Sequence, residues 1–178
     1  MKTITHTNPN GKTVQVNVGW NAIIGEHATI GENVTIGKNV TIGEHATIGE
    51  HAIIGSYSNI YKNVTIGSYS NIGEHAIIGS YSNIGEHAII GEYVNIGRSS
   101  YIDRDATIGE HVTIGEHATV GEDAIIGNNA TVSEDATVGE YANIGEYANI
   151  GWNATIGEHA TVGEHATVGE DAIIGPDA

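Results

Sequence analysis

From Val18 to Ile174 every sixth residue is Ile or Val, twenty-seven positions in succession without a slip of register. The following residue is Gly except at Tyr61, Asp103 and Ser133, and four places after the aliphatic stands Ala, Val or Ser. A spacing this strict means that six residues make one structural step. It excludes an α-helix, because a period of six scatters the aliphatic side chains around a 3.6-residue turn and would place Gly nearly every second turn. Extended chain suits it. With the aliphatic position called i, residue i+4 lies two places before the next aliphatic, so both face inward on a pleated strand. Residues i+3 and i+5, such as His27 and Thr29, are then expected to point outward from a flat face. Gly at i+1 and the polar residue at i+2 are expected to form the corner. Gly suits a corner because the bend takes φ > 0 or because backbones pack closely there.

Residues 1–17 lie outside the repeat. Thr3-Ile4-Thr5-His6-Thr7, then Asn8-Pro9-Asn10-Gly11, then Lys12-Thr13-Val14-Gln15-Val16-Asn17 read as strand, turn and strand. This hairpin is expected to cap the repeat, because a stack of strands ends in unpaired backbone groups that invite another chain. The chain therefore divides into a capping hairpin, 1–17, and a repeat, 18–178.

The pattern aliphatic–Gly–x–x–small–x resembles the hexapeptide repeat of the left-handed parallel β-helix, the fold of bacterial acyltransferases and γ-class carbonic anhydrases. The resemblance covers residues 18–178. It implies three hexads per coil, so that residues eighteen apart stack. An all-β, single-domain solenoid follows: a triangular prism of about nine 18-residue coils, about 43 Å long at one strand spacing per coil. Left-handedness comes from the resemblance, since the general crossover preference is right-handed. Homotrimers are what the family implies, and the outward Ile53, Ile89 and Ile125, with Tyr69 and Tyr141, offer a contact. The chain end at Ile174-Gly175-Pro176-Asp177-Ala178 suggests end-to-end pairing as a second mode of self-association.

Charge narrows the partners. Twenty-two acidic residues against six basic ones give a net charge of −16, which repels a nucleic-acid backbone. There is no Cys, hence no disulfide or thiolate metal site. Neither a signal peptide nor a stretch able to span a membrane is recognisable, and a cytoplasmic or recombinant product is expected. Glu at i+2 forms acidic columns along the edges, as with Glu26 and Glu44. Stacked carboxylates repel by about 0.9 kcal/mol in water before screening.

Nine of the ten His stand in a Gly-Glu-His triplet, always at i+3. His on neighbouring faces, such as His45 and His51, point in different directions, and of the nine only His27 and His45 stack directly. Two ligands make a poor zinc site. The γ-class carbonic anhydrases space two zinc His five apart, whereas these are separated by multiples of six. A general base would have a setting of its own, and nine equivalent His give none. No catalytic, cofactor-binding or metal-ligating residue is assigned, and no cofactor is expected. An ice-binding reading of the Thr column that begins Thr29, Thr47 and Thr65 is set aside, because the i+3 column beside it contains no Thr.

The repeat falters in one connected region: Tyr61, Lys62, Arg98, Tyr101, Asp103 and Arg104 replace the usual Gly, Glu or Thr. Lys62 and Arg98 share one edge two coils apart with Ser80 between them, beside a face carrying Tyr81 and Tyr101. Lys62, Tyr81, Arg98 and Tyr101 are the candidate ligand patch. The expected function is a structural repeat scaffold, designed or consensus-derived, with no evident catalytic site. The alternative is a trimeric hexapeptide-family acyltransferase.

Overall fold

The computed structural model describes residues 1–178. Strand β1 (Lys2–Thr7) pairs antiparallel with β2 (Thr13–Val18). Then twenty-six two-residue strands begin six residues apart, from β3 (Ile23–Ile24), β4 (Thr29–Ile30) and β5 (Thr35–Ile36) to β28 (Ile173–Ile174). They form three parallel sheets in which each strand pairs with those eighteen residues away, as Thr29 with Thr47 and Ile30 with Ile48. The chain is a left-handed triangular β-helix of about nine coils. No helix is long and apolar enough to cross a membrane.

The interior is built from two columns per face. Every buried side chain between Ala28 and Val168 occupies position i or i+4. Each large aliphatic at i, fully buried, contributes about 1.5–3 kcal/mol, while Ala or Val at i+4 keeps the narrow prism from overfilling. Ser58, Ser70, Ser82 and Ser100 take the i+4 place in four hexads. Each buried hydroxyl donates to a Gly carbonyl at 2.7–2.8 Å, so none is left unpaired.

The corner lies one residue further along than the sequence pattern suggests. Strands comprise only i+5 and the next i, and the turn falls on i+2 and i+3. All i+3 residues from Asn21 to Asp177 adopt the left-handed conformation, with φ of 52–66°. His27 and its counterparts are therefore vertex residues, not members of a flat face. Asn, Asp and His tolerate this region better than most side chains, which accounts for their recurrence; Tyr is the outlier.

Gly at i+1 serves the second of the two reasons given for it. Its φ is not positive; it is needed because the next coil lies against it. A Cβ on Gly97 would meet the Glu116 nitrogen at 2.5 Å. Where Tyr61, Asp103 and Ser133 replace Gly, the coil yields slightly. Their amides reach the next coil's carbonyl at 3.0, 2.9 and 2.9 Å, against 2.7–2.8 Å for every such Gly but Gly151.

At the N-terminal end β2 joins the first sheet by pairing with β5. The hairpin also reaches a second sheet. The Asn8 amide, 5% exposed, donates to the Ile30 carbonyl and accepts from the Ile30 amide, both at 2.8 Å. The third sheet ends at β3, where Ile23, Trp20 and Met1 are exposed.

Candidate functional site

The left-handed vertices carry ring stacks. Tyr57, His75, Tyr93 and His111 form a continuous column with centroids 4.9, 4.7 and 4.9 Å apart. His51, Tyr69 and His87 make a second, and Tyr141–His159, Tyr147–His165 and His27–His45 are pairs. Near-parallel rings one coil apart offset part of the cost of left-handed Tyr, at about 0.5–1.5 kcal/mol for an aromatic pair. Asn and Asp vertices are tied in the same direction by side-chain hydrogen bonds, Asn21 to Asn39 and Asn153 to Asp171.

Tyr81 departs from this pattern. Its vertex neighbours one coil away are Asn63 and Ser99, so it has no ring above or below. The Arg98 guanidinium covers it instead, 5.5 Å from the ring centroid, within cation–π range. Lys62, Ser80, Tyr81 and Arg98 together line an open depression of about 250 Å³. Two larger depressions, of about 370 and 440 Å³, adjoin it, and Tyr61 lines both.

Of the four patch residues, Lys62, Tyr81 and Arg98 come together and Tyr101 does not. Tyr101 stands on a strand of the adjoining sheet, with its hydroxyl 3.5 Å from Asp103, too far for a good hydrogen bond. Partial burial, and then the charge of Asp103, push its phenol above the ordinary pKa. Arg104 is drawn away to another corner, where it is ion-paired with Glu122. Tyr61 marked a break in the repeat, but its bordering of two depressions follows from the side chain's course over the corner and is not visible in the spacing.

Lys12 pairs with Glu32 at 3.0 Å and Arg104 with Glu122, whereas Lys62 and Arg98, like Lys2 and Lys38, have no carboxylate partner. What sets Lys62 and Arg98 apart is that they line one depression. Their column, Glu26, Glu44, Lys62, Ser80, Arg98, Glu116, Glu134, holds the basic pair between acidic stretches. No group of three or more His, Asp or Glu lies close enough to hold a metal ion.

Comparison with known proteins places this geometry. The family model described as the GMPPB C-terminal domain matches residues 13–102 and again 90–178. Among solved structures the chain is similar to LpxA, a UDP-N-acetylglucosamine acyltransferase from Bacteroides fragilis. The two share 24% identity and a TM-score of 0.75, over 79% of this chain and 62% of that one. It is also similar to the acetyltransferase domain of PglB from Neisseria gonorrhoeae, solved with acetyl coenzyme A. There the identity is 16% and the TM-score 0.59, over 62% of this chain and 53% of that one. The match thus spans less than two thirds of either solved chain, and at these identities the likeness is one of fold. No curated protein matches the sequence significantly.

Proposed function

This chain belongs to the GMPPB C-terminal domain family, and from that premise we propose that it serves acyl transfer as a hexapeptide-repeat β-helix acting between copies of itself. The observation that carries the reading is its shared winding with an acyltransferase over 79% of its length. A single prism has open depressions rather than an enclosed cleft, so the site is assigned to a seam between subunits. The sheet face with Ile53, Ile89 and Ile125, each about half exposed, is the apolar surface available for that seam. His51 and His87 stand on the vertex beside it.

In such a seam a vertex imidazole accepts the proton of an acceptor hydroxyl or amine as that group attacks the thioester carbonyl of an acyl donor. The new C–O or C–N bond forms, the C–S bond breaks, and the proton passes to the departing thiolate. The test combines mass in solution with thiol release from acetyl coenzyme A in the presence of an amino-sugar acceptor. The reading expects a trimer and acceptor-dependent release that falls about 100-fold in His51→Ala or His87→Ala. A monomer that releases no thiol overturns it.

One observation favours a second reading, a non-catalytic structural scaffold. The nine triplet His share one backbone conformation and are all exposed, and no insertion interrupts the coils to shape a cleft. Such regularity fits a designed or consensus-derived repeat, in which inward pattern and local preference agree. This reading expects no thiol release under any acceptor.

A further inference from the structure

We propose that the corner formed by Lys62, Ser80, Tyr81 and Arg98 binds a dianionic tetrahedral oxyanion, the phosphate group of a small phosphomonoester. Four donors of different kinds line one depression of about 250 Å³: an ammonium, a hydroxyl, a phenol and a guanidinium. None is a carboxylate. Lys62 and Arg98 occupy the same corner position two coils apart, a separation of about 9.6 Å along the axis, with Ser80 midway. Long side chains from both ends can close on one anion while Ser80 supplies a donor at the floor.

The site is a departure from the protein's own rule. Glu stands at this corner position in Glu26, Glu44, Glu116 and Glu134 of the same column. Glu44 and Glu116 flank the two cations one coil away on either side, yet neither is ion-paired with them, and the depression itself holds no carboxylate. Charge relief alone would be served by ion pairs such as Arg104 with Glu122. The Arg98 guanidinium lies over Tyr81, the corner Tyr that lacks an aromatic neighbour, 5.5 Å from the ring centroid, and its N–H groups have no protein acceptor, which leaves them for bidentate contact with oxyanion oxygens. The exposed Tyr61 ring borders the neighbouring depressions and offers a face for the organic part of the ester. This assignment does not depend on the acyl-transfer reading.

The experiment titrates the full chain at fixed ionic strength in chloride with inorganic phosphate, inorganic sulfate, acetate and phenyl phosphate, by calorimetry and by the shifts of backbone amides. Phosphate is expected to bind one to one with a dissociation constant of about 1 mM, sulfate comparably, acetate more weakly, and phenyl phosphate more tightly than phosphate. The variant Lys62→Glu/Arg98→Glu restores the column's common residue, so it is expected to fold. It should lose about tenfold or more in affinity, which the loss of one charge-assisted hydrogen bond is enough to produce. Lys38→Glu, on another corner, adds half as much negative charge as the double variant, away from the depression, and should bind as the parent does. The proposal is overturned by absent saturable phosphate binding, by a loss below about tenfold in the double variant, or by an equal loss in Lys38→Glu. Should the double variant not fold, Arg98→Ser, which repeats Ser80 in the same column, is read by the same criterion.

Discussion

Asn8 lies across the end of β4 and exchanges two hydrogen bonds of 2.8 Å with the backbone of Ile30, twenty-two residues away. A side-chain amide presents the same donor and acceptor as a peptide group, so Asn8 stands in for one residue of an added strand. His6 adds a 3.2 Å contact from its ring nitrogen to the carbonyl of Ala28. The hairpin therefore serves two of the three sheets at this end, one through its backbone and one through a side chain.

Replacing Asn8 with Ala leaves the Ile30 amide and carbonyl without partners in a buried place, at a cost of about 2 kcal/mol. Because coils communicate mainly with their neighbours, the loss should concentrate at the N-terminal end. Urea unfolding measures the total, and hydrogen exchange should show the Ile30 amide opening faster. An unchanged Ile30 exchange rate would refute this role.

Gly97 and Gly169 occupy the same place in the hexad with opposite surroundings. A Cβ at Gly97 meets the Glu116 backbone, while one at Gly169 meets nothing within 4 Å. Gly97→Ala is expected to cost about 1–3 kcal/mol. Gly169→Ala should be neutral or stabilising by about 0.4–1 kcal/mol, because the unfolded chain loses freedom. Thermal denaturation of the two variants decides, and equal effects would contradict the close-approach explanation.

The vertex residues separate backbone conformation from ring stacking. His75, with φ 58°, lies between Tyr57 and Tyr93. His75→Asn keeps a side chain that accepts the left-handed region and should lose only the stacks, about 0.5–1.5 kcal/mol. His75→Val also forces a β-branched residue into that region, adding about 1–2 kcal/mol. Comparison of the two variants by chemical denaturation isolates the backbone part. If Val is no worse than Asn, conformation at the vertex is not limiting.

Tyr141 titrates late because the negative charges of Asp123 and Glu122 disfavour its phenolate; Tyr101 does so mainly through burial. Each folded phenol holds its proton above the ordinary Tyr range, while the unfolded chain releases it first. The associated stability is complete below about pH 10 and is lost as pH rises through the folded value. Tyrosinate absorbance should show a late phase that Tyr141→Phe diminishes, and Tyr141→Phe should unfold less steeply than the parent in alkali. A single unperturbed phenol titration would count against it.

Acidic corner columns make a salt prediction. Glu26 and Glu44 are one coil apart, as are Glu116 and Glu134, in a chain of net charge −16. Screening at about 0.15 M salt shortens the reach of their repulsion to about 8 Å, so the melting temperature should rise from low to moderate sodium chloride. Lys62→Glu/Arg98→Glu extends the acidic column and should steepen that dependence.

Much of the fold was legible because its cause is local. Ile at i and Ala at i+4 repeat the inward alternation of a strand, and the i and i+4 side chains from Ala28 to Val168, Ala166 excepted, are buried as that alternation requires. The Lys62–Arg98 edge was likewise legible, since stacking by eighteen follows from three hexads per coil. Tyr101 was grouped with it because one face beside that edge was expected to carry both Tyr81 and Tyr101, but Tyr81 stands at the vertex while Tyr101 lies beyond it on a strand. The position of that corner was misjudged by one residue, because His27 has a side chain that suits a strand as readily as a left-handed turn.

The sequence by itself determined the period and the inward columns, because each depends on spacing along one chain; which residues stack followed from the likeness to the hexapeptide repeat, which implies three hexads per coil. Tertiary structure decided which residue turns the corner, why Gly precedes it, and which side chains meet. Gly97 is required by Glu116 in the next coil, Arg98 covers Tyr81 from one coil further on, and Asn8 finds Ile30 across the open end of a sheet. Each of these is a distance between residues far apart in the chain, and such distances exist only once the coils have closed upon one another.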